Sequence, residues 1–168
     1  MLLEGSCHCG AVRFRVESPH PYPYQRCYCS ICRKTAGGGG YAINLSGRAE
    51  TLEVEGADHT GIYHAVIDGE PSLGERHFCR HCASALWVYD PRWPALVHPF
   101  ASAIDSELPT PPEHVHILLD SKANWVEVEA DDSSRCFSGF PEESIAEWHQ
   151  RLGLEESDEG SRRGHPPS

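Results

Sequence analysis

Three closely spaced cysteines, Cys27, Cys29 and Cys32, are the residues of this chain best suited to chemistry. Thiolates are zinc ligands, and a structural zinc ion is almost always held by four protein ligands in a tetrahedron. A zinc ion that takes part in a reaction keeps three protein ligands and leaves one position for water or substrate. Three thiols within six residues are one short of a closed site, so we interpret this segment as an open metal centre.

Four other cysteines have the composition of a closed site. They form two pairs, Cys7-x-Cys9 and Cys79-x-x-Cys82, while Cys136 stands alone. The two pairs together would supply a tetrahedral four-thiolate zinc site. The spacing also allows the first two cysteines of the triplet to combine with the second pair. We favour the first grouping because it assigns seven cysteines without splitting the triplet.

Length and charge limit the class of protein. The chain has 168 residues, and we expect one zinc-binding domain over residues 1–153 and a disordered acidic and polar tail over residues 154–168. The formal charge of -11 argues against non-specific binding to nucleic acid or anionic membrane, which requires clustered Lys and Arg. The first residues show no secretory signal pattern, and no apolar run reaches the length of a membrane span. We therefore expect a cytoplasmic protein whose thiols are ligands rather than disulfides.

Short strands are predicted to position the cysteine motifs. Residues 11–16 alternate between apolar and other side chains directly after the first pair, which is the period of a half-buried strand. An apolar, aromatic strand over residues 85–89 follows the second pair. Further strands are predicted over residues 41–45, 52–55, 62–67, 115–119 and 125–128. A single helix is predicted late in the chain, with Pro141 in its first turn and Gly153 at its end.

Taken in order, the motifs resemble those of one family. The segments SCHCGAVRF, CYCSICRK and HFCRHCAS, followed by Lys122-x-x-Trp125, resemble the glutathione-dependent formaldehyde-activating enzyme family, also called the centromere-protein-V/GFA family. The resemblance implies a mainly-β fold, a β-tent of small stacked antiparallel sheets stapled by zinc, to which the helix pattern adds one C-terminal helix. It also implies two zinc sites, a closed one at Cys7, Cys9, Cys79 and Cys82 and an open one at Cys27, Cys29 and Cys32.

Two positions depart from the family pattern. Tyr28 lies where the family usually has His, and Ala83 lies where it usually has Gly. Neither substitution removes an expected ligand. Because Tyr28 falls between two expected ligands, we expect it to alter the wall of the open site.

The function implied by the resemblance is that of a zinc-dependent carbon-sulfur lyase-type enzyme. It would act on the adduct of glutathione, or a related thiol, with a small aldehyde, and Cys27, Cys29 and Cys32 would be its catalytic residues. Arg33 and Lys34 directly follow the triplet and could meet the carboxylates of glutathione, although a solvated charged face fits them equally well. The four glycines at 37–40 fit either close approach to a ligand or simple flexibility.

Less reactive interpretations fit the same residues. The triplet could hold a structural zinc ion that is closed by a fourth ligand, such as a histidine. The whole chain could then be a non-catalytic, zinc-stabilised binding module. Redox chemistry at Cys79-x-x-Cys82 would need a helix N-terminus to lower a thiol pKa, and the flanking strand pattern argues against one. A lone late cysteine such as Cys136 is predicted to be a small buried hydrophobe.

Overall fold

Three small β-sheets and two short helices make up the fold of the computed structural model, which describes residues 1–154. The strands are β1 Leu2–Ser6, β2 Arg13–Glu17, β3 Tyr24–Cys27, β4 Ala42–Asn44, β5 Gly47–Arg48, β6 Glu53–Glu55, β7 Thr60–Ile67, β8 Glu70–Cys79, β9 Ala85–Tyr89, β10 Leu96–Pro99, β11 His114–Ile117 and β12 Ser134–Cys136. The helices are α1 Ser30–Ala36 and α2 Ile145–Arg151.

The sheets are small and mostly antiparallel. The strand order is β1-β2-β6 in the first sheet, β5-β10-β9-β8-β7 in the second and β12-β11-β3-β4 in the third. The predicted mainly-β fold of small antiparallel sheets is therefore confirmed. The third sheet differs in one respect, because β11 runs parallel to both β3 and β12. Long connections join β11 to β3, so the antiparallel constraint of a hairpin does not apply to them.

A first hydrophobic core lies between the first and second sheets. On β2, Phe14 and Val16 are buried while Arg13 and Arg15 are exposed, which confirms the predicted alternation. Phe14 meets Trp87 of β9 edge to face, with the ring centroids 5.2 Å apart. Aromatic pairs of this geometry favour close contact between the two sheets.

A second core lies on the other face of the second sheet. Val88 of β9 packs into this core, whereas its neighbour Trp87 packs into the first. Side chains of β9 therefore contribute to both cores. The opposing wall of the second core carries Val115 and Ile117 from β11 and Trp148 from α2.

Two elements differ from the sequence-based predictions in kind. Helix α1 was not predicted, since its seven residues contain no apolar stripe longer than one turn. The strand predicted over residues 125–128 is wrong. Instead, the Lys122 ammonium donates to the carbonyl of Val126 at 2.7 Å and holds this segment as a turn, which leaves Trp125 60% exposed.

The predicted C-terminal helix is present as α2, but it begins four residues after Pro141. Ser144 is its N-cap and forms a capping box with Glu147, which satisfies free backbone donors of the first turn. Gly153 follows the helix with a φ of 66°, as expected for a helix end. The predicted tail lies outside the described residues except for Leu154, and the division into domain and tail stays a prediction. Within residues 1–154, no helix is long and apolar enough to cross a membrane.

A charged network fixes α2 to the third sheet. Glu113, next to β11, accepts hydrogen bonds from Trp148 Nε1 at 2.9 Å and from the Arg151 guanidinium at 2.8 and 3.0 Å. Arg151 also donates to Glu143 at 2.6 Å. The hydrogen bonds from Arg151 hold the pKa of Glu113 below its ordinary value. The carboxylate form of Glu113 therefore stabilises the folded state.

Replacing this carboxylate should destabilise the protein only where the carboxylate is ionised. We expect Glu113→Gln to lower the free energy of unfolding by about 1 kcal/mol at neutral pH, because the amide keeps the Trp148 contact but loses the charge. The loss should shrink as the pH falls below the unfolded-state glutamate pKa of about 4.3 and vanish below the lowered folded-state pKa. Urea unfolding over this pH range measures it, with exposed Glu107→Gln as the control. An equal loss at every pH would contradict the electrostatic explanation.

Candidate metal centre

Two tight turns bring four cysteines together at one edge of the first and second sheets. Cys7 directly follows β1, and Gly10, with a φ of 76°, turns the chain back toward β2. Cys79 is the last residue of β8, and Cys82 lies in the turn before β9. The four-cysteine cluster, Cys7, Cys9, Cys79 and Cys82, therefore links the two layers.

The sulfur geometry of the four-cysteine cluster fits a metal ion. All four Sγ atoms lie within 4.8 Å of one another. The Cys7 and Cys9 sulfurs are 3.6 Å apart, and the Cys9 and Cys79 sulfurs are 3.8 Å apart. A zinc–sulfur distance of about 2.3 Å in a tetrahedron gives a sulfur–sulfur distance of about 3.8 Å. These sulfurs therefore lie close to the positions that a tetrahedral ion requires.

Hydrogen bonds reach the sulfurs of Cys7, Cys79 and Cys82, and those at Cys82 favour the thiolate form that a metal needs. The Val12 amide donates to Cys7 Sγ at 3.2 Å, and the His81 amide donates to Cys79 Sγ at 3.4 Å. Hydrogen bonds from Ser84, its hydroxyl first and then its amide, lower the pKa of Cys82 to about 5. Stabilised thiolates packed this closely repel one another unless a cation lies between them.

The three-cysteine cluster, Cys27, Cys29 and Cys32, is built differently, because one short segment supplies every sulfur. Cys27 ends β3, Cys29 is the N-cap of α1, and Cys32 lies on the buried face of that helix. The Cys29 sulfur accepts a hydrogen bond from the Cys32 amide at 3.3 Å, so a thiol performs the capping role that Ser or Asp usually has. The strand end and the helix cap together aim the three side chains at one point.

The three-cysteine cluster remains open within the described residues. Its three Sγ atoms lie within 4.8 Å of one another, and no histidine, carboxylate or further cysteine of residues 1–154 joins them. Cys27 and Cys32 are buried, whereas Cys29 is half-buried and forms the accessible side. Hydrogen bonds with the Cys27 and Cys32 thiols lower the pKa of Cys29 to about 2. The cluster therefore has three converging sulfur ligands and one free direction.

The cysteines group as the sequence analysis favoured. The alternative, in which the first two cysteines of the triplet join Cys79 and Cys82, does not occur. Both clusters could bind metal ions, and the donor set of thiolates alone suits zinc. Cys136 belongs to neither cluster, and it is exposed, so the prediction that it is buried is wrong. Its position on β12, the edge strand of the third sheet, explains the exposure.

One residue beside the open cluster was missed by the sequence analysis. Arg76, on β8, lies with its Nη2 atom 3.6 Å from the Cys32 sulfur. Arg33 and Lys34, which the sequence analysis selected as substrate contacts, make no side-chain hydrogen bond to the cluster in the described structure. Arg33 is half-buried with its Nε atom unpartnered among residues 1–154, and Lys34 is exposed. A role for these two residues in binding stays a prediction.

The Tyr28 side chain points away from the open cluster. It is 1% exposed, and its hydroxyl lies 2.8 Å from Nδ1 of buried His116. It also packs on the ring of Tyr41 at 5.1 Å between centroids. The expectation that Tyr28 alters the wall of the open site is therefore wrong, since neighbouring side chains of an extended segment point in opposite directions. Tyr28 instead fixes the backbone between two cysteines.

The glycine run is shaped by packing at its two ends. A side chain at Gly37 would overlap the Tyr41 carbonyl, and one at Gly40, with a φ of 98°, would overlap Val126. The two central glycines, 38 and 39, have open space around them. Packing against the protein itself therefore accounts for the two outer glycines without a ligand.

A polar cleft of about 490 Å³ lies between the four-cysteine cluster and the C-terminal end of α1. Its walls include Cys7 of one cluster and Thr35 and Ala36, which follow Cys32 on α1. Ser6, Ser84, Ser102 and Asp105 also line it, and the Ser6 hydroxyl donates to the Asp105 carboxylate at 2.6 Å. A cleft of this size and polarity can hold a small peptide-like molecule.

Comparison with known proteins gives three matches. A sequence profile of the family described as glutathione-dependent formaldehyde-activating enzyme matches residues 2–121. A curated protein of Halomonas elongata, named "putative glutathione-dependent formaldehyde-activating enzyme", is 76% identical over 156 residues, which are 93% of this chain and 99% of that protein. The crystal structure of a Rhodobacter sphaeroides protein aligns with a TM-score of 0.51 and 28% identity, covering 63% of this chain and 91% of the other.

The backbone of Ala83, in the second cysteine turn, leads to a stability prediction. Its φ of 61° is in the left-handed region, which costs a residue with a Cβ atom about 1–2 kcal/mol. Glycine would avoid this cost but would lose about 0.4–1 kcal/mol through its freer unfolded state. We therefore expect Ala83→Gly to raise the free energy of unfolding by about 1 kcal/mol, measured by urea unfolding at equal metal content. Exposed Ala95→Gly, at an ordinary φ, should do the opposite, and destabilisation by both would contradict the strain argument.

Removing a sulfur from the four-cysteine cluster should cost one metal ion and much of the stability. We expect Cys9→Ser to lose one equivalent of metal by elemental analysis and more than about 4 kcal/mol of unfolding free energy, because the remaining thiolates lose their cation. Cys136→Ser, an exposed cysteine outside both clusters, is the matched control and should change neither value. Full metal content in Cys9→Ser would show that the cluster does not bind the ion.

Proposed function

Because the chain belongs to the glutathione-dependent formaldehyde-activating enzyme family, we propose that it is a zinc-dependent enzyme that forms or cleaves the carbon-sulfur bond between glutathione and formaldehyde. The product of the forward direction is S-hydroxymethylglutathione. In this proposal, Cys7, Cys9, Cys79 and Cys82 hold a structural zinc ion. Cys27, Cys29 and Cys32 hold the zinc ion at which the reaction takes place.

The open geometry of the three-cysteine cluster is the observation that carries the proposal. A structural zinc site is closed by four protein ligands, as the four-cysteine cluster would be. The second cluster stops at three sulfurs among the described residues and presents half-buried Cys29 on its accessible side. A site with one free direction suits the exchange of an external ligand. The structural alternative would require a fourth ligand, and no residue of 1–154 provides one.

The residues of the chain hold and orient the reaction partners. Cys27, Cys29 and Cys32 would hold a zinc ion, which would supply a position at which an external thiol loses its proton. Cys27 and Cys32, both buried, exclude water from the inner side of the cluster. The polar cleft at the C-terminal end of α1, whose lining includes Ser84, Ser102 and Asp105, offers hydrogen bonds to the peptide groups of glutathione. Arg33 and Lys34, on α1, are proposed to meet its carboxylates.

The proposed reaction is an addition and needs no further reactant. The glutathione sulfur forms a bond to the carbonyl carbon, while the carbon–oxygen π pair moves to oxygen. The oxygen then takes up one proton, which replaces the one that the thiol released. Charges, atoms and electrons balance, so the same site can run the reaction in reverse. Holding the two partners in contact is a large part of the rate gain available to such an addition.

The setting of the reaction is also part of the proposal. Glutathione and the enzyme's own reduced thiols both belong to a reducing compartment, which favours a cytoplasmic location. The eight cysteines are all free in the structure, and none forms a disulfide. Small molecules, rather than nucleic acid or membrane, are the proposed partners, because a chain of net charge -11 repels phosphate.

The catalytic role of the open cluster can be tested by removing its accessible sulfur. We expect Cys29→Ser to lose the second zinc ion and to slow enzyme-dependent adduct formation by at least about a hundredfold, since removal of groups that only support metal ligands already costs 10–100-fold. Adduct formation is followed by NMR with labelled formaldehyde and glutathione, after subtraction of the uncatalysed rate. Zinc is counted by elemental analysis.

Cys136→Ser is again the matched control, because it removes a thiol without touching either cluster. It should keep both zinc ions and the wild-type rate. An unchanged rate in Cys29→Ser after loss of one zinc ion would refute the mechanism. A wild-type protein with two zinc ions and no catalysis would instead favour a zinc-stabilised binding module.

A further inference from the structure

Arg76 is placed to act on the open cluster from a distant part of the chain. It lies in the middle of β8, where it pairs with Tyr63 on one side and Val88 on the other. Since Val88 packs into the second core with Cys27 and Cys32, this face of the sheet points at the three-cysteine cluster. Arg76 is therefore fixed by a central strand rather than by a mobile loop.

The guanidinium reaches α1 at two residues, buried Cys32 and exposed Thr35. Its Nη2 atom lies 3.6 Å from the Cys32 sulfur, and its Nη1 atom lies 3.5 Å from the Thr35 hydroxyl. Residues 32 and 35 are three positions apart, so they lie on the same helix face. The planar fork of an arginine can meet both groups at once, whereas a lysine ammonium is a single point.

Arg76 is also a cation with no anion of its own in the described structure. Other arginines form ion pairs with carboxylates: Arg15 with Glu53, Arg92 with Asp90, and Arg151 with Glu113. Arg76 is half-buried, and within residues 1–154 no carboxylate lies at ion-pair distance from it. A partly desolvated cation is stable when a negative group lies nearby. The sulfur cluster is the negative group that the structure offers.

The charge of the cluster explains why such a cation matters. Three thiolates and a divalent cation sum to a net charge of -1, and a fourth thiolate brings the sum to -2. In a partly buried site the repulsion between this charge and an incoming anionic sulfur is strong. Neutral water meets no such repulsion. A fixed positive charge next to the cluster therefore shifts the balance from water toward an anionic sulfur ligand.

We propose that Arg76 is the positioning residue that lets the three-cysteine centre accept an anionic sulfur as its fourth ligand. This inference rests on the proposed function and adds to it the residue that selects the class of ligand. Arg76 acts through Cys32 and through charge, without contacting the aldehyde. The thiol ligand gives up its proton to solvent when it binds as thiolate.

The test measures thiol binding directly, apart from catalysis. Cobalt replaces zinc in the full chain, and the cobalt–thiolate absorption reports the addition of a sulfur ligand. Two thiols are titrated, glutathione and 2-mercaptoethanol, because the second has no carboxylate. The variants are Arg76→Gln, which removes the charge, and Arg76→Lys, which keeps the charge but loses the fork. Exposed Arg13→Gln, on β2, is the matched control for net charge.

The expected result is a weaker affinity for both thiols in Arg76→Gln, by about tenfold or more, as for loss of a hydrogen bond to a charged group. Arg76→Lys should fall between Arg76→Gln and wild type, and Arg13→Gln should match wild type. If Arg76→Gln does not retain cobalt, the thiol affinities of Arg76→Lys and the wild type are compared instead. Equal affinities in these two proteins would overturn the proposal.

Three further outcomes would overturn the inference. Wild-type affinity in Arg76→Gln would show that the charge has no role. A loss for glutathione but not for 2-mercaptoethanol would show that Arg76 binds a peptide carboxylate instead. In both cases the wild type still binds thiols, so the proposed function stands. If the cobalt-loaded wild type binds neither thiol, the proposed function fails, and the inference fails with it.

Discussion

Mutual repulsion between close sulfur atoms is the constraint on which this structure depends. In the four-cysteine cluster the sulfurs lie 3.6 and 3.8 Å apart, a spacing that thiolates tolerate only around a cation. The strands before and after each turn must therefore hold the sulfurs against this repulsion. The Val12 amide donates a hydrogen bond to the Cys7 sulfur, and the Ser84 hydroxyl forms a hydrogen bond with the Cys82 sulfur. The first two sheets are joined at the same point, so the geometry of the four-cysteine cluster and the packing of the two sheets depend on each other.

The two clusters differ in their burial, in their number of sulfurs and in the segments that supply them. Four sulfurs from two turns close one site, whereas three sulfurs from a single strand–helix junction leave the other open. The open site does not lack support. Tyr28 is anchored to His116 on one side of the backbone, and Arg76 approaches Cys32 from the other. Rigid elements on both sides can hold the ligands in place while the fourth position exchanges.

The sequence predicted what depends on spacing and missed what depends on three-dimensional contact. Cysteine spacing allowed two groupings of seven thiols, and the preference for keeping the triplet whole selected the grouping that the structure has. Helix α1 escaped prediction because its cap is Cys29, a residue that carries no ordinary capping signal. Arg76 was not identified from the sequence because its contact with Cys32 spans 44 positions along the chain. The sequence around an arginine in a strand does not indicate which distant residue the arginine contacts. The burial of Tyr28 was not predictable for the same reason, because it depends on His116 of β11, which lies 88 positions away along the chain.

The different origins of the two clusters imply a definite order of assembly during folding. The three-cysteine cluster is local, since its members are at most five positions apart, and closing such small loops costs little chain entropy. A nascent or unfolded chain can therefore already chelate an ion there. The four-cysteine cluster joins Cys9 to Cys79 across 70 positions and must wait until β2 and β8 have met. The three-cysteine cluster is thus complete within one short segment, whereas the four-cysteine cluster is complete only after the first two sheets have come together.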